Sequence, residues 1–259
     1  MDSLQQARDF FERGHLEYRP NLSIDCAIFG YHDEELKLLL MKNKLMRKWH
    51  LPGGFVKKTE SLDDAAARIT MERTGLERLF LRQAKAFGDV GRNTTTEMFD
   101  EIAFIQLMGF KIEPDSWLLG ETVTIGFYSI TDIVNASPIL DFISEDCRWF
   151  PINEIPDLAF DHNEVAKEAL DRMRIDLYHF PIGKNLLQPK FTLKEIKRLY
   201  EVLSGKTLNP TNFPNKLMAL GLLEKLDEKK AIGGHRSPTF YKFNEEAYEK
   251  ALEEGLVLV

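Results

Sequence analysis

Short apolar runs broken by turn residues dominate the first two-thirds of the chain, and helical spacing takes over in the last third. Ile24-Asp25-Cys26-Ala27-Ile28-Phe29 and Leu36-Lys37-Leu38-Leu39-Leu40-Met41 bracket Gly30-Tyr31-His32-Asp33, which predicts a hairpin. Leu51-Pro52-Gly53-Gly54-Phe55-Val56 reads as a strand with a glycine break. After Ser61, apolar Leu62, Ala65, Ala66, Ile69 and Leu76 recur at helical spacing, with Gly75 as the stop. Strand-like runs are expected at Leu81–Val90, Glu101–Phe110 and Val123–Ile130. A helix fits Asn163–Tyr178 with Asp161 as its N-cap, and Asp2–Gly14 reads as a short helix of mixed charge packed on the body.

Pro181-Ile182-Gly183 marks a linker that Pro189 closes. Beyond it, Leu193, Ile196, Leu199, Tyr200 and Leu203 line one face of a helix over Thr192–Ser204. Gly205-Lys206-Thr207-Leu208 turns into a second helix ending near Leu220-Gly221. Leu222–Leu226 and Thr239–Phe243 follow as two strands joined by a basic, glycine-containing loop. The order is helix, turn, helix, two-stranded wing.

Charge sharpens this division. The 259 residues carry a formal net charge of −7, yet residues 181–243 hold 12 Lys and Arg against 5 Asp and Glu. Residues 1–180 hold 21 against 31. Bulk attraction to nucleic acid is excluded for the whole chain, and the basic block is where an anionic partner such as DNA belongs. Hydrophobic residues at 44% and charged residues at 29% describe an ordinary globular protein and exclude disordered and fibrous classes. No apolar run approaches the roughly 18 residues of a membrane span, and the N-terminus lacks signal-peptide features. Cys26 and Cys147 both sit in apolar stretches, as core thiols of a cytoplasmic protein do.

One segment carries the pattern of a chemical site. It reads Gly54, five residues, Glu60, seven residues, Arg68, then Ile69-Thr70-Met71-Glu72-Arg73-Thr74-Gly75-Leu76. It resembles the Nudix box, Gly-x5-Glu-x7-Arg-Glu-apolar-x-Glu-Glu-x-Gly-apolar, preceded by the Trp-x-Leu-Pro-Gly-Gly-Phe-Val lead of Trp49–Val56. The resemblance implies an α/β/α sandwich over residues 20–180. In a working box the glutamates at i, i+3 and i+4 share a helix face and gather Mg²⁺ against a diphosphate, where the metal activates water. Here those positions are Ile69, Glu72 and Arg73. Two of three carboxylates are gone and one is replaced by a cation, so no catalytic residue, no metal and no cofactor is expected. Were the domain a hydrolase, Glu60 and Glu72 would have to hold Mg²⁺ between them. Glu60 with Arg68 reads instead as a structural ion pair, and Glu72 as a solvated helix residue. Gly53 and Gly54 serve the backbone turn. With Phe55 and Arg73 they are the candidate ligand contacts, Arg73 facing either a ligand phosphate or water. Gly205-Lys206-Thr207 fails as a phosphate loop because its first glycine would fall at Tyr200. The histidines show no metal-ligand spacing, and Asp161-His162 reads as a helix start.

The C-terminal third narrows the resemblance. Pro181–Leu187, Phe191–Ile196, Leu199-Tyr200-Glu201, Asn212-Phe213, Lys216-Leu217, Gly221–Glu224 and Tyr241-Lys242-Phe243 resemble the winged helix-turn-helix of Nudix-related transcriptional regulators. Leu158-Ala159-Phe160-Asp161-His162 matches the same group, which includes repressors of NAD-synthesis genes and pentose-responsive regulators. The resemblance implies an α+β protein: a helical extension at 1–19, a Nudix-like sensing domain at 20–180, and a winged helix at 181–259 with an acidic C-terminal helix. It further implies a cytoplasmic homodimer whose DNA binding responds to a sugar or an ADP-ribose-like metabolite. On double-stranded operator DNA it places Asn212, Lys216, Lys229, Lys230, His235 and Arg236. Two departures stand out. Pro214 and Asn215 occupy positions where the group carries basic residues, and a proline inside a helix costs roughly 3 kcal/mol. That cost vanishes if Asn212 is the cap and Pro214 lies in the first turn. An insertion, about Thr94 to Leu118, could line the pocket, cover it or extend a dimer interface. The competing reading is a hydrolase of nucleoside diphosphate derivatives in which Glu97, Asp100 and Glu101 of the insertion replace the lost carboxylates.

Overall fold

In the computed structural model, described for residues 3–76, 79–93, 99–135, 143–230 and 237–256, the chain divides into two compact units. One comprises Met1–Gly30 and Lys37–Leu170, the other Tyr31–Leu36 and Asp171–Val259.

The first unit is built on a six-stranded sheet. Its strands are β1 (Tyr18–His32), β2 (Glu35–Asn43), β3 (Gly53–Lys57), β4 (Arg82–Phe87), β5 (Val123–Asp132) and β6 (Ser144–Pro151). They lie in the order β4-β5-β1-β2-β6, with β3 antiparallel to β1 through Asp25↔Gly53, Ile24↔Gly54 and Ser23↔Phe55. Strand side chains alternate faces. On one face Ile24, Cys26, Ile28, Val56, Ile125 and Phe127 form a core with Ala65, Ala66 and Ile69 of α2 (Leu62–Thr74). Helix α4 (His162–Asp176) covers the other face, where a Cβ at Gly126 would meet Val165 at 3.4 Å. The expected sandwich follows. The hairpin turns one step later than predicted, at Asp33 and Glu34, which both adopt positive φ (48° and 59°), as a tight two-residue turn requires.

Two sequence expectations need correction. Glu101–Phe110 is not a strand: α3 occupies Glu101–Met108. The Asp100 carboxylate caps it by accepting from the Ala103 amide, and Gly109 closes it at φ 77°. A short apolar run does not distinguish a strand from a buried helix, and here the two caps decide. The insertion therefore contributes a helix that packs on α1 (Ser3–Glu17), and Phe104 and Met108 join Ala7 and Leu45 in a second small core. Strand β6 was not anticipated, because most of its residues are only half-buried and its sequence alternates weakly.

The second unit contains α5 (Leu193–Ser204), α6 (Asn212–Ala219), β7 (Leu223–Lys229), β8 (Thr239–Phe243) and α7 (Glu245–Glu254). Ile196, Leu199, Tyr200 and Leu203 of α5 bury the predicted stripe. Phe191 pairs with Tyr241 through both backbone hydrogen bonds and extends the β7–β8 hairpin. Cys26 and Cys147 remain thiols, and burial pushes both up to about 12, so neither is poised for reaction.

Thr192 and Glu195 form a reciprocal capping box at the start of α5. Thr192→Ala removes it at a cost of about 1 kcal/mol. A fall of about 2–4 °C in melting temperature is expected for the alanine variant, whereas Thr192→Ser, which keeps a capping hydroxyl, should melt close to wild type. An unchanged melting curve for the alanine variant would show that the box contributes nothing.

Candidate functional site

The loop–helix segment of the box is held by one side chain. Arg68 donates Nε to Glu60 Oε2 (2.9 Å) and Nη2 to both Glu60 Oε1 (2.6 Å) and the Phe55 carbonyl (3.0 Å). Its Nη1 donates to Glu72 Oε2 at 3.0 Å. Glu60 also accepts from the Lys57 amide at 2.7 Å. The Arg68 fork holds the Glu60 carboxyl below its ordinary range. Glu60 is thus a structural anchor, and the exposed Glu72 is a second partner of Arg68, one helical turn along α2.

The position of the first helical carboxylate belongs to the core. Ile69 is 1% exposed, and a Cβ built on Gly54 would lie 3.3 Å from its Cγ1. β3 thus packs closely on α2 at Gly54, where a side chain would require Ile69 to give by a few tenths of an ångström. Gly53 faces the opposite way, where a Cβ would strike Asp25 Oδ1 at 2.3 Å. Arg73 is half-buried and engaged, and its charge adds to the burial that pushes the His50 imidazole down to about 4. Asp100 is spent as a helix cap, Glu101 pairs with Lys111 at 3.8 Å, and Glu97 lies outside the described residues. Among the described residues no group of three His, Cys, Asp or Glu side chains is arranged to hold a metal ion.

Sequence reasoning missed a buried polar network beneath Gly53. Arg92, 6% exposed, clamps Asp161 with bonds of 2.8 and 2.6 Å, donates to the Thr122 carbonyl, and lies 3.8 Å from Asp25. His162 Nδ1 accepts from the Leu51 amide at 2.9 Å, so this nitrogen is unprotonated and Nε2 faces Asp25 at 3.5 Å. Burial alone would raise the Asp25 carboxyl, but contacts with His162 and Arg92 outweigh it and hold the group below its ordinary value. Phe160 in the adjoining loop adopts φ 55°, unusual for a bulky residue. Asp161 does begin α4, as read, but its carboxylate goes to Arg92 rather than to the helix amides. The only signal in the sequence was the Leu158–His162 segment, because Asp25 and Arg92 are distant in the chain.

Phe55 is half-buried, and its ring meets Trp117 of the insertion at 4.7 Å. The insertion therefore reaches the candidate ligand contacts.

In the second unit Asn212 and Lys229 are exposed and Lys216 is half-exposed on α6. Asn212 is not the cap: Asn209 Oδ1 accepts from the amides of Thr211 and Asn212, both at 2.9 Å. Pro214 nevertheless falls in the first turn, where it removes no helical bond. Lys230 is paired with Glu195 at 2.5 Å, and His235 and Arg236 lie outside the described residues. Lys184, Lys190, Lys197, Arg198 and Lys242 pair with Glu245, Glu228, Glu201, Glu34 and Glu224.

Comparison with known proteins accounts for both units. A NUDIX domain profile matches residues 20–173, and an NrtR DNA-binding winged helix domain profile matches residues 183–243. The chain is similar to the ADPR responsive transcriptional repressor NtrR of Acinetobacter baylyi, 26% identical over 89% of this chain and 84% of the relative. It is also similar to the ADP-ribose pyrophosphatase of Methanocaldococcus jannaschii, 27% identical over 60% of this chain and 78% of the relative. Among solved structures, Shewanella oneidensis NrtR complexed with a 27mer DNA aligns with a TM-score of 0.63 at 23% identity, covering 88% of this chain and 95% of that one. It shares the fold.

His162→Phe should strand the Leu51 amide and weaken urea-induced unfolding stability by about 1–3 kcal/mol, with wild-type stability arguing against the network. The Arg68–Glu60 pair has its own pH signature. Because folding lowers the Glu60 pKa, its contribution is complete above the ordinary value of 4.5 and fades as pH falls through the folded value. The stability gap between wild type and Arg68→Gln should therefore narrow below pH 4.5; a gap independent of pH would show that the pair is not coupled to folding.

Proposed function

The chain belongs to the NUDIX family, and from that membership we propose that it is a ligand-responsive transcriptional regulator rather than a hydrolase. The observation that carries this reading is Ile69, packed in the core against Gly54 where a working box presents a carboxylate to magnesium. Restoring a glutamate there would bury a charge instead of exposing a ligand. With Arg73 in place of another carboxylate, α2 holds the fold together but offers no divalent-ion site of the usual kind.

The sensing domain binds an ADP-ribose-like metabolite, a ligand class supported by the name of the Acinetobacter relative. The winged helix binds operator DNA, with α6 in the major groove and the β7–β8 hairpin against the backbone. Asn212 and Lys216 meet the DNA from α6 and Lys229 from the hairpin. Ligand changes operator affinity only by favouring one arrangement of the winged helices over another. A homodimer in the cytoplasm presents two readers to two half-sites.

Gel shift with DNA from upstream of its own coding region, with and without ADP-ribose, tests the reading, and light scattering tests the dimer. A ligand-dependent change in operator affinity is expected, with no AMP formed from ADP-ribose and Mg²⁺. Sustained AMP release lost in Glu72→Gln would overturn it in favour of hydrolysis. Lys216→Ala should reduce the slope of log affinity against log salt by about one. Lys230→Ala should reduce it less, since that cation already has Glu195 as a partner. Equal slopes for wild type and Lys216→Ala would remove α6 from the interface.

A further inference from the structure

Four aromatic side chains from four segments converge on the sheet face opposite the α2 core: Phe10 of α1, Tyr18 of β1, Phe55 of β3 and Trp117 of the insertion. Phe55 is two residues from Gly53 on β3, so it projects from the face that carries Asp25. The Tyr18 and Trp117 rings are within 8° of parallel, with centroids 6.4 Å apart. Phe10 meets both at near right angles, at 5.5 and 5.3 Å. All four side chains are half-buried, whereas the neighbouring cores bury Phe104 and Phe127 almost completely.

Trp117 is fixed in place. Its Nε1 donates to the Phe11 carbonyl at 3.1 Å, and its six-membered ring lies on Gly14, where a Cβ would sit 2.3 Å from Cζ2. The polar groups around the cluster are committed elsewhere. Lys57, 5.7 Å from the Tyr18 ring, pairs with Glu17 at 2.8 Å, and Arg68 is spent on Glu60, Glu72 and the Phe55 carbonyl. What the cluster presents is mainly π-surface, with the Trp117 indole N–H turned inward to the Phe11 carbonyl.

We propose that Phe10, Tyr18, Phe55 and Trp117 form the seat for the planar heteroaromatic ring of a nucleoside or nucleotide. A flat ring laid parallel to Tyr18 and Trp117 gains stacking from faces already aligned, without ordering new side chains. A sugar ring would need several donors and acceptors at the rim, where Lys57, Arg68 and the Trp117 indole N–H are already paired. The insertion thereby acquires a role: it supplies Trp117, which lies against Phe10 and Gly14 of α1 and beside Phe55. The choice of a nucleotide over another flat ligand rests on the sensing role proposed above, while the seat itself rests on the rings.

The test uses the full-length chain and direct binding, so it does not depend on DNA. AMP, adenosine and ribose 5-phosphate are titrated by calorimetry and by tryptophan fluorescence. AMP and adenosine should bind and quench the indole emission. Trp117→Ala should weaken both by roughly tenfold to a hundredfold. Trp117→Phe should keep most of the affinity but lose the quench, and ribose 5-phosphate should not distinguish the variants. Tyr18→Leu, from a different segment, should reproduce the loss and stands in if Trp117→Ala does not fold. The seat is overturned if wild type binds ribose 5-phosphate or a pentose but neither AMP nor adenosine, if it binds none of them, or if the folded variants bind AMP as wild type does. AMP binding that depends on Trp117, together with operator binding indifferent to ADP-ribose, would uphold the seat and defeat the regulatory reading.

Discussion

A single guanidinium ties three parts of the sensing unit together. Arg68 reaches from α2 to the Glu60 carboxylate in the loop, to the Phe55 carbonyl on β3 and to Glu72 one turn along its own helix. A planar fork with several fixed donors can satisfy such a set, where the single ammonium of a lysine cannot. The same contacts orient β3, whose alternate residues then face opposite sides of the sheet. Gly54 and Val56 receive α2, while Gly53 and Phe55 look toward Asp25 and the aromatic rings. In a hydrolytic relative this frame would position carboxylates around a metal. Here the same frame carries Ile69 in the core at the position of the first of those carboxylates.

On the opposite face of the sheet, charge is buried at a cost that its partners must offset. Arg92 and Asp25 are nearly inaccessible, and an unpaired ion in that position would be severely destabilising. Asp161, the Thr122 carbonyl and His162 complete the set. The network joins the first residues of α4 to β1 and to the segment leading into β3. Gly53 tolerates the close approach of Asp25 only because it has no side chain. The glycine pair of the box lead therefore performs two unrelated tasks, one on each face.

The winged-helix unit illustrates why net charge is a coarse guide to a DNA surface. The surplus of seven positive charges in residues 181–243 suggests a broad basic face. In the structure several of those cations are matched by carboxylates on neighbouring elements, two of them, Glu34 and Glu245, from outside that stretch. Surface pairs of this kind add little stability, but each reduces the local potential offered to phosphate. Among the described residues, Asn212 and Lys229 are exposed and Lys216 is half-exposed.

Much of this was legible in the chain itself. Ser61 and Gly75 bounded α2, Thr192 and Gly205 bounded α5, and period-two patterning located the central strands, because caps and alternation are local properties of neighbouring residues. The spacing from Gly54 to Leu76 identified the box and its missing carboxylates, and the structural reading of Glu60 with Arg68 held. The helix at Glu101–Met108 was misread, since four successive apolar residues fit either period and only packing against α1 selects one. Asn212 is the first residue of α6 and not its cap: Thr211 holds the cap position without a side-chain bond, and the Asn209 side-chain carbonyl oxygen of the preceding turn accepts from the Thr211 and Asn212 amides, a geometry that the spacing alone does not fix. Arg92, Asp25 and His162, like Phe10, Tyr18 and Trp117, are far apart in sequence and have no meaning until the sheet brings them together. Local spacing determines which elements form and which residue types stand at the positions of the box, whereas the burial of charge and the convergence of rings are long-range consequences of packing that tertiary structure alone decides.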